Sequence, residues 1–316
     1  MAELYLANTD NAWFDFLKAR SPLEDVNFWK PTAQPFKAIE EGQLFVFRLK
    51  SPRNRIGGYG MLASSINVPI QLAWESLGER NGSSSIAQMI DTISRYRNGE
   101  RVTAQTVIGC RVLTSPVFFE PHEWFPVPSD WSSNIVTGKV YSTETSHGAS
   151  LFAELEARTR IPADLQSGKR LIGEGGFSST EQARYGSPGL VAPRLGQGAF
   201  RIKIAQAYDF QCALSDTKVL PALEAAHIRP YSDGGVHTLP NGIFLRKDIH
   251  SVFDAGFATL TDDLRFHVSS KITQVFNNGN EYKRLHGQQI KMPIREQDKP
   301  SIESVRWHQT ERYVGD

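Results

Sequence analysis

His227, Asn241 and His250 stand at intervals of 14 and 9 residues, inside Leu223-Glu-Ala-Ala-His-Ile-Arg-Pro-Tyr-Ser-Asp-Gly-Gly, Leu239-Pro-Asn-Gly and Arg246-Lys-Asp-Ile-His-Ser-Val-Phe-Asp254. A neutral imidazole is suited to taking a proton near working pH. An imidazole and a carboxylate four residues apart on a helix share one face, so His250 and Asp254 can hold a divalent ion and leave positions open for other ligands. A base and a cation on opposite sides of a scissile bond are what phosphodiester hydrolysis requires: the base deprotonates water and the cation neutralises charge on the phosphate and the departing oxygen.

The elements that must position these groups follow from the local pattern. The apolar run from Val219 to Ile228 reads as a strand ending at His227, Ser232-Asp-Gly-Gly as a turn, and Gly242 to Arg246 as a second short strand. Asp248 is placed to cap a helix whose Ile249, Val252 and Phe253 face a core. A lone His in a strand is commonly structural and Asn-Gly is commonly just a turn. The combination, not any member of it, carries the chemistry.

At these residues the chain resembles the HNH family of ββα-metal nucleases, in particular the subgroup with Ala-Ala-His-Ile-x-Pro in the first strand and Asn-Gly-(apolar)-x-Leu in the second. The resemblance also takes in Tyr208-Asp-Phe-Gln-Cys-Ala-Leu-Ser upstream and Arg306-Trp-His downstream. It implies that His227 is the general base, that Asn241 ties the loop so that His227 is held in place, and that His250 is a metal ligand, with Asp254 where some members carry a second one. Many members place a ligand directly before the base, where this chain has Ala226. The metal site must then be completed by Asp254, waters and the DNA phosphate, with Glu224 a further candidate. Mg²⁺ or Mn²⁺ with few protein ligands is expected; Zn²⁺ or Ni²⁺ is the alternative at a nitrogen-rich site.

With 316 residues, 40% of them hydrophobic, the chain can build two cores of ordinary size, and an α+β fold of two domains is expected. Residues 1–160 form the first domain, the Gly- and Pro-rich stretch 161–193 a linker, and residues 194–316 the nuclease domain. Cys110 and Cys212 have no Cys-x-x-Cys partners, which excludes a zinc knuckle around the motif and a disulfide framework. No apolar run approaches the length of a membrane span and the N-terminus lacks a leader pattern, so a cytoplasmic protein without a membrane partner is expected. The formal net charge of +1 argues neither for nor against nucleic acid, because local basic patches suffice for binding. Arg201 and Lys203 are candidate phosphate contacts.

Leu-Phe-Val-Phe within 43–48, Ile56-Gly-Gly-Tyr-Gly-Met-Leu-Ala and Val107-Ile-Gly-Cys-Arg-Val-Leu read as three strands, with a helical insert holding Trp74, Glu75 and Ile86 to Tyr96 between the last two. A small curved β-barrel with rim helices is expected. Five of the six tryptophans fall in this half. Asn27-Phe-Trp-Lys-Pro and Glu123-Trp-Phe-Pro-Val-Pro-Ser-Asp-Trp look like rim segments, whose aromatics could stack a base taken out of a duplex. These signals resemble the PUA-like superfamily, in particular EVE-type domains, over about residues 1–150. EVE-HNH fusions resemble modification-dependent restriction endonucleases, which implies double-stranded DNA carrying 5-methylcytosine or 5-hydroxymethylcytosine as substrate, read by base flipping, with Trp29, Tyr59 and Trp74 as candidate pocket residues. Because one HNH unit cuts one strand, a homodimer is expected. The competing readings are an HNH nuclease without modified-base dependence and an inactive DNA-binding scaffold.

Overall fold

The structure, a computed structural model, describes residues 2–158 and 195–315. The linker expected over 161–193 lies outside the described residues. The described chain divides into two compact units, one of residues 2–67, 82–84 and 109–158 and one of residues 68–81, 85–108 and 195–315. Residues 68–81 and 85–108, which the sequence places within the first domain, therefore group with the C-terminal residues.

The first unit is built on a mixed sheet of seven strands: β1 (Glu3–Thr9), β2 (Asp25–Lys30), β3 (Leu44–Leu49), β4 (Arg55–Pro69), β5 (Val107–Phe118), β6 (Phe125–Pro126) and β7 (Gly138–Ser142). The order is β2-β5-β4-β3-β1-β7, with β6 paired to β4. β1 and β3 run parallel, Leu4 opposite Leu44. Side chains alternate across a strand, so Tyr5, Ala7, Phe45 and Phe47 meet Trp13, Phe14 and Leu17 of α1 (Asn11–Lys18) on one face. Leu4, Leu6 and Val46 meet Leu151 and Leu155 of α4 (Ser146–Arg158) on the other. Both faces of β1 and β3 are thus covered, which explains why Leu-Tyr-Leu-Ala and Leu-Phe-Val-Phe read as unbroken apolar runs instead of alternating ones. The path of strands has two ends, at β2 and β7, and no closed barrel is found among the described residues. Asn27-Phe-Trp-Lys is strand β2, not a rim loop; Asn27 and Phe28 are buried.

The second unit joins α2 (Ile70–Leu77) and α3 (Ile86–Tyr96) to an α+β body. Its core gathers Phe200, Ile204 and Tyr208 around α5 (Gln197–Ala207), Leu223 and Ala226 of β8 (Leu223–His227), Ile243 to Leu245 of β9 (Gly242–Arg246) and Ile249 and Phe253 of α6 (Lys247–Asp254). Cys212 is buried in this core and Cys110 in the first unit; both are free thiols. The order strand, loop, strand, helix agrees with the sequence reading. Asp248 differs from it: the residue before α6 is Arg246, and Asp248 sits inside the first turn, where both carboxylate oxygens accept from the Arg246 guanidinium.

Candidate active site

β8 and β9 pair antiparallel, with His227 opposite Gly242. The loop between them is closed by Asn241, which is 2% exposed. Its Oδ1 accepts from the Arg229 backbone N–H at 2.9 Å, and its Nδ2 donates to the carbonyls of Arg229 at 2.9 Å and Val236 at 3.0 Å. The Val236 carbonyl also accepts from the Thr238 N–H, whereas the two Arg229 backbone groups depend on Asn241. The following glycine serves close approach: a Cβ at Gly242 would lie 2.4 Å from Ile204 Cδ1 and 2.8 Å from Phe200 Cζ. Asn-Gly here is a staple and a packing notch, not a two-residue turn.

The packing that Gly242 permits brings Phe200 flat onto His227, with ring centroids 4.0 Å apart and planes 11° from parallel. His227 Nε2 lies 2.9 Å from His237 Nδ1, and His237 is stacked in turn on Tyr231. Burial, with the neighbouring His237 and His250 adding to it, holds the His227 imidazole well below its usual range, at about 4. It is therefore neutral at physiological pH and keeps one ring nitrogen lone pair. His237 was missed by the sequence reading; the available signal was an imidazole ten residues past His227 in the loop that Asn241 closes.

His250 lies in the middle of α6, 17% exposed, between two carboxylates: Nδ1 is 2.7 Å from Glu224 Oε1 and Nε2 is 3.0 Å from Asp254 Oδ2. Burial opposes its charge, but the hydrogen bonds and charges of Asp254 and Glu224 outweigh it and raise the pKa. Glu224 comes from β8, so the hairpin and the helix that follows it are tied at this histidine. A neutral His250 that donates from Nδ1 to Glu224 would present the Nε2 lone pair on the side of Asp254, the arrangement that orients a metal-binding imidazole. Among the described residues, no group of three or more His, Cys, Asp or Glu is arranged to hold a metal ion. The donor set is thus one imidazole nitrogen with the Asp254 carboxylate, Glu224 standing behind it.

The structure brings His227, His250, Asp254 and Glu224 together on one cavity of about 480 Å³, and Trp74 lines it as well. Trp29 and Tyr59 belong to the first unit. Trp29 lies in β2 opposite Cys110, and Tyr59 in β4 packs near Phe119. Arg201, a candidate phosphate contact, is instead paired with Glu75.

One comparison with known proteins bears on this geometry. Residues 212–261 match the HNH endonuclease family. This stretch is an HNH domain, and it spans the hairpin, its loop and α6, from Cys212 through β10 (Ala258–Leu260). Comparison with curated proteins finds no relative. Among solved structures the chain is similar to a modification-dependent TagI restriction endonuclease, at 12% identity, covering 92% of this chain and 76% of that one, with a TM-score of 0.26.

Proposed function

We propose that the protein is a divalent-metal-dependent DNA endonuclease in which His227 is the general base, Asn241 the residue that holds it, and His250 with Asp254 the metal site. The observation that carries this reading is the neutral imidazole of His227 at the end of β8, on the same cavity as the His250 and Asp254 pair, within an HNH domain. His227 takes the proton of the attacking water. Its low pKa favours the free base before substrate arrives, and the negative charge of an entering phosphodiester favours the protonated form afterwards. The contact with His237 and the flat face of Phe200 restrict the ring to one orientation. His250 and Asp254, one imidazole nitrogen and one carboxylate, would hold Mg²⁺ or Mn²⁺, with Glu224 fixing the His250 tautomer, and when bound the ion supplies charge neutralisation at the phosphate and the leaving oxygen.

The substrate is inferred to be double-stranded DNA carrying 5-methylcytosine or 5-hydroxymethylcytosine, recognised by a PUA-like, EVE-type first unit that extrudes the modified base, with Trp29 and Tyr59 as its candidate pocket residues. The resemblance of the first 150 or so residues supports this, as does their aromatic content. A homodimer supplies the second cut, and the cytoplasm is the compartment such a restriction activity requires. Among the described residues, no helix is long and apolar enough to cross a membrane. The test is cleavage, with Mg²⁺ or Mn²⁺, of one plasmid in unmodified, 5-methylcytosine and 5-hydroxymethylcytosine forms, with His227→Ala alongside. Cleavage confined to the modified forms and abolished in the variant is the expected result. Equal cleavage of all three forms would remove the modified-base reader. Activity unchanged in His227→Ala would remove the catalytic assignment.

A further inference from the structure

The six tryptophans are not treated alike by the fold. Trp13 and Trp124 donate their indole N–H groups to the carbonyls of Asn27 and Phe119, and Trp131 and Trp307 lie against the guanidinium groups of Arg48 and Arg229. Trp29 is engaged as well. Of these tryptophans, Trp74 is the one whose side chain has, among the described residues, neither a hydrogen bond nor a ring or cation contact, yet it is half-buried and lines the cavity that holds His227, His250 and Asp254. A large aromatic group kept at a wet hydrolytic cavity without a partner leaves an apolar face to be covered and an N–H to be satisfied.

The wall that carries Trp74 is fixed in place. Arg201 of α5 donates to the Glu75 carboxylate at 2.9 Å and to the Glu75 backbone carbonyl at 3.3 Å. A Cβ at Gly198 would lie 2.7 Å from both Leu77 Cδ2 and Ser76 O, so α2 and α5 approach as closely as a glycine allows. Phe200 and the 64% exposed Tyr231 add two more aromatic rings to the lining of the same cavity, whose other lining residues are mostly polar. Its volume lies in the range of sites that take a single small ligand.

We propose that Trp74 is a nucleobase-stacking residue of the cleavage cleft, holding the base of a nucleotide beside the scissile phosphate once that base has left the duplex stack. The inference rests on the nuclease reading for the identity of the ligand. What enters beside a scissile phosphate is a nucleotide, and every base offers a π face to an indole. Trp74 thereby moves from the modified-base pocket to the site of hydrolysis, and the 68–108 excursion supplies part of the nuclease.

The test uses the full chain in EDTA, so that nothing is cut, with a short fluorescein-labelled duplex that is either fully paired or carries one unpaired nucleotide, read by anisotropy. Wild type is expected to bind the unpaired form about ten-fold more tightly, the scale of one base stacked on an aromatic side chain. Trp74→Ala should lose that preference at an unchanged thermal midpoint, and Trp74→Phe should keep most of it. Should Trp74→Ala not fold, the tryptophan emission of wild type minus that of Trp74→Phe decides, and it must fall when the unpaired duplex is added. No preference in wild type, a preference retained in Trp74→Ala, or a Trp74→Phe as deficient as the alanine variant each overturns the proposal. A Trp74-dependent preference in a protein that cuts no DNA with Mg²⁺ or Mn²⁺ sustains it while the nuclease reading fails.

Discussion

Substitution of Asn241 separates a structural staple from a generic buried polar residue. Asn241→Ala removes three hydrogen bonds and leaves the Arg229 N–H and the Arg229 carbonyl without partners, while the Val236 carbonyl keeps only the Thr238 N–H. At a net value of about 1 kcal/mol for each bond, the loss is roughly 3 kcal/mol. For a unit of this size that corresponds to a fall in thermal midpoint of roughly 6–12 °C. Asn241→Asp is the sharper probe. It keeps the acceptor for the Arg229 N–H but sets a carboxylate oxygen where an NH₂ now donates to two carbonyls, so at neutral pH it should be at least as destabilising as alanine. Protonating that carboxyl restores one donor, and the aspartate variant should therefore regain stability relative to Asn241→Ala as pH falls from 8 towards 5, by roughly one hydrogen bond's worth, about 1 kcal/mol. Thermal unfolding of wild type and the two variants, followed by circular dichroism across that range, reads this directly. An Asn241→Asp protein with the wild-type midpoint at neutral pH would refute the reasoning, because it would mean that the amide donor is not holding the loop.

Glu224→Gln keeps an acceptor for His250 Nδ1 but removes the charge behind the proposed metal site, and should weaken Mn²⁺ binding roughly 10-fold to 100-fold, measured by calorimetry and by the Mn²⁺ dependence of cleavage. Gly242→Ala should cost roughly 1–3 kcal/mol in urea unfolding, since its methyl would meet Ile204 and Phe200 at distances no real Cβ tolerates. His308 is 1% exposed, stacked on Phe253 and bonded to Thr259, and burial holds it at about 4, below the usual imidazole value of 6.5. A depressed histidine binds its proton more readily in the unfolded chain. The stability it contributes is therefore present above about 6.5 and is lost as pH falls towards 4, by about 3 kcal/mol. His308→Phe should flatten this part of the acid limb, and urea midpoints at the two ends of the window check it. His227→Ala should retain DNA affinity in EDTA while the cleavage rate falls by several powers of ten, a split that filter binding and single-turnover kinetics resolve.

Much of the candidate site was legible in the chain itself. His227, Asn241 and His250 lie within one short stretch whose strands and helix are set by local pattern, so sequence spacing and spatial spacing are nearly the same quantity. Asp254 is one helical turn from His250, and its approach to 3.0 Å follows from helix geometry alone. Glu224 could be placed near His227 by counting, but its position as the partner of His250 Nδ1 depended on how α6 lies against β8. His237 depended on the path of a loop that no periodicity describes, and the notch at Gly242 on a helix that begins far upstream. The first unit was less legible because both faces of its central strands are buried, which erases the alternation from which sheet and barrel are told apart. What only tertiary structure decided was the allegiance of Trp74: in sequence it belongs with Trp29 and Tyr59, and in space Glu75, Leu77, Gly198 and Arg201 fasten its helix to the nuclease. Local chemistry follows from near neighbours in the chain, whereas a helix joins whichever core buries its apolar face, and that core can be contributed by residues more than a hundred positions away.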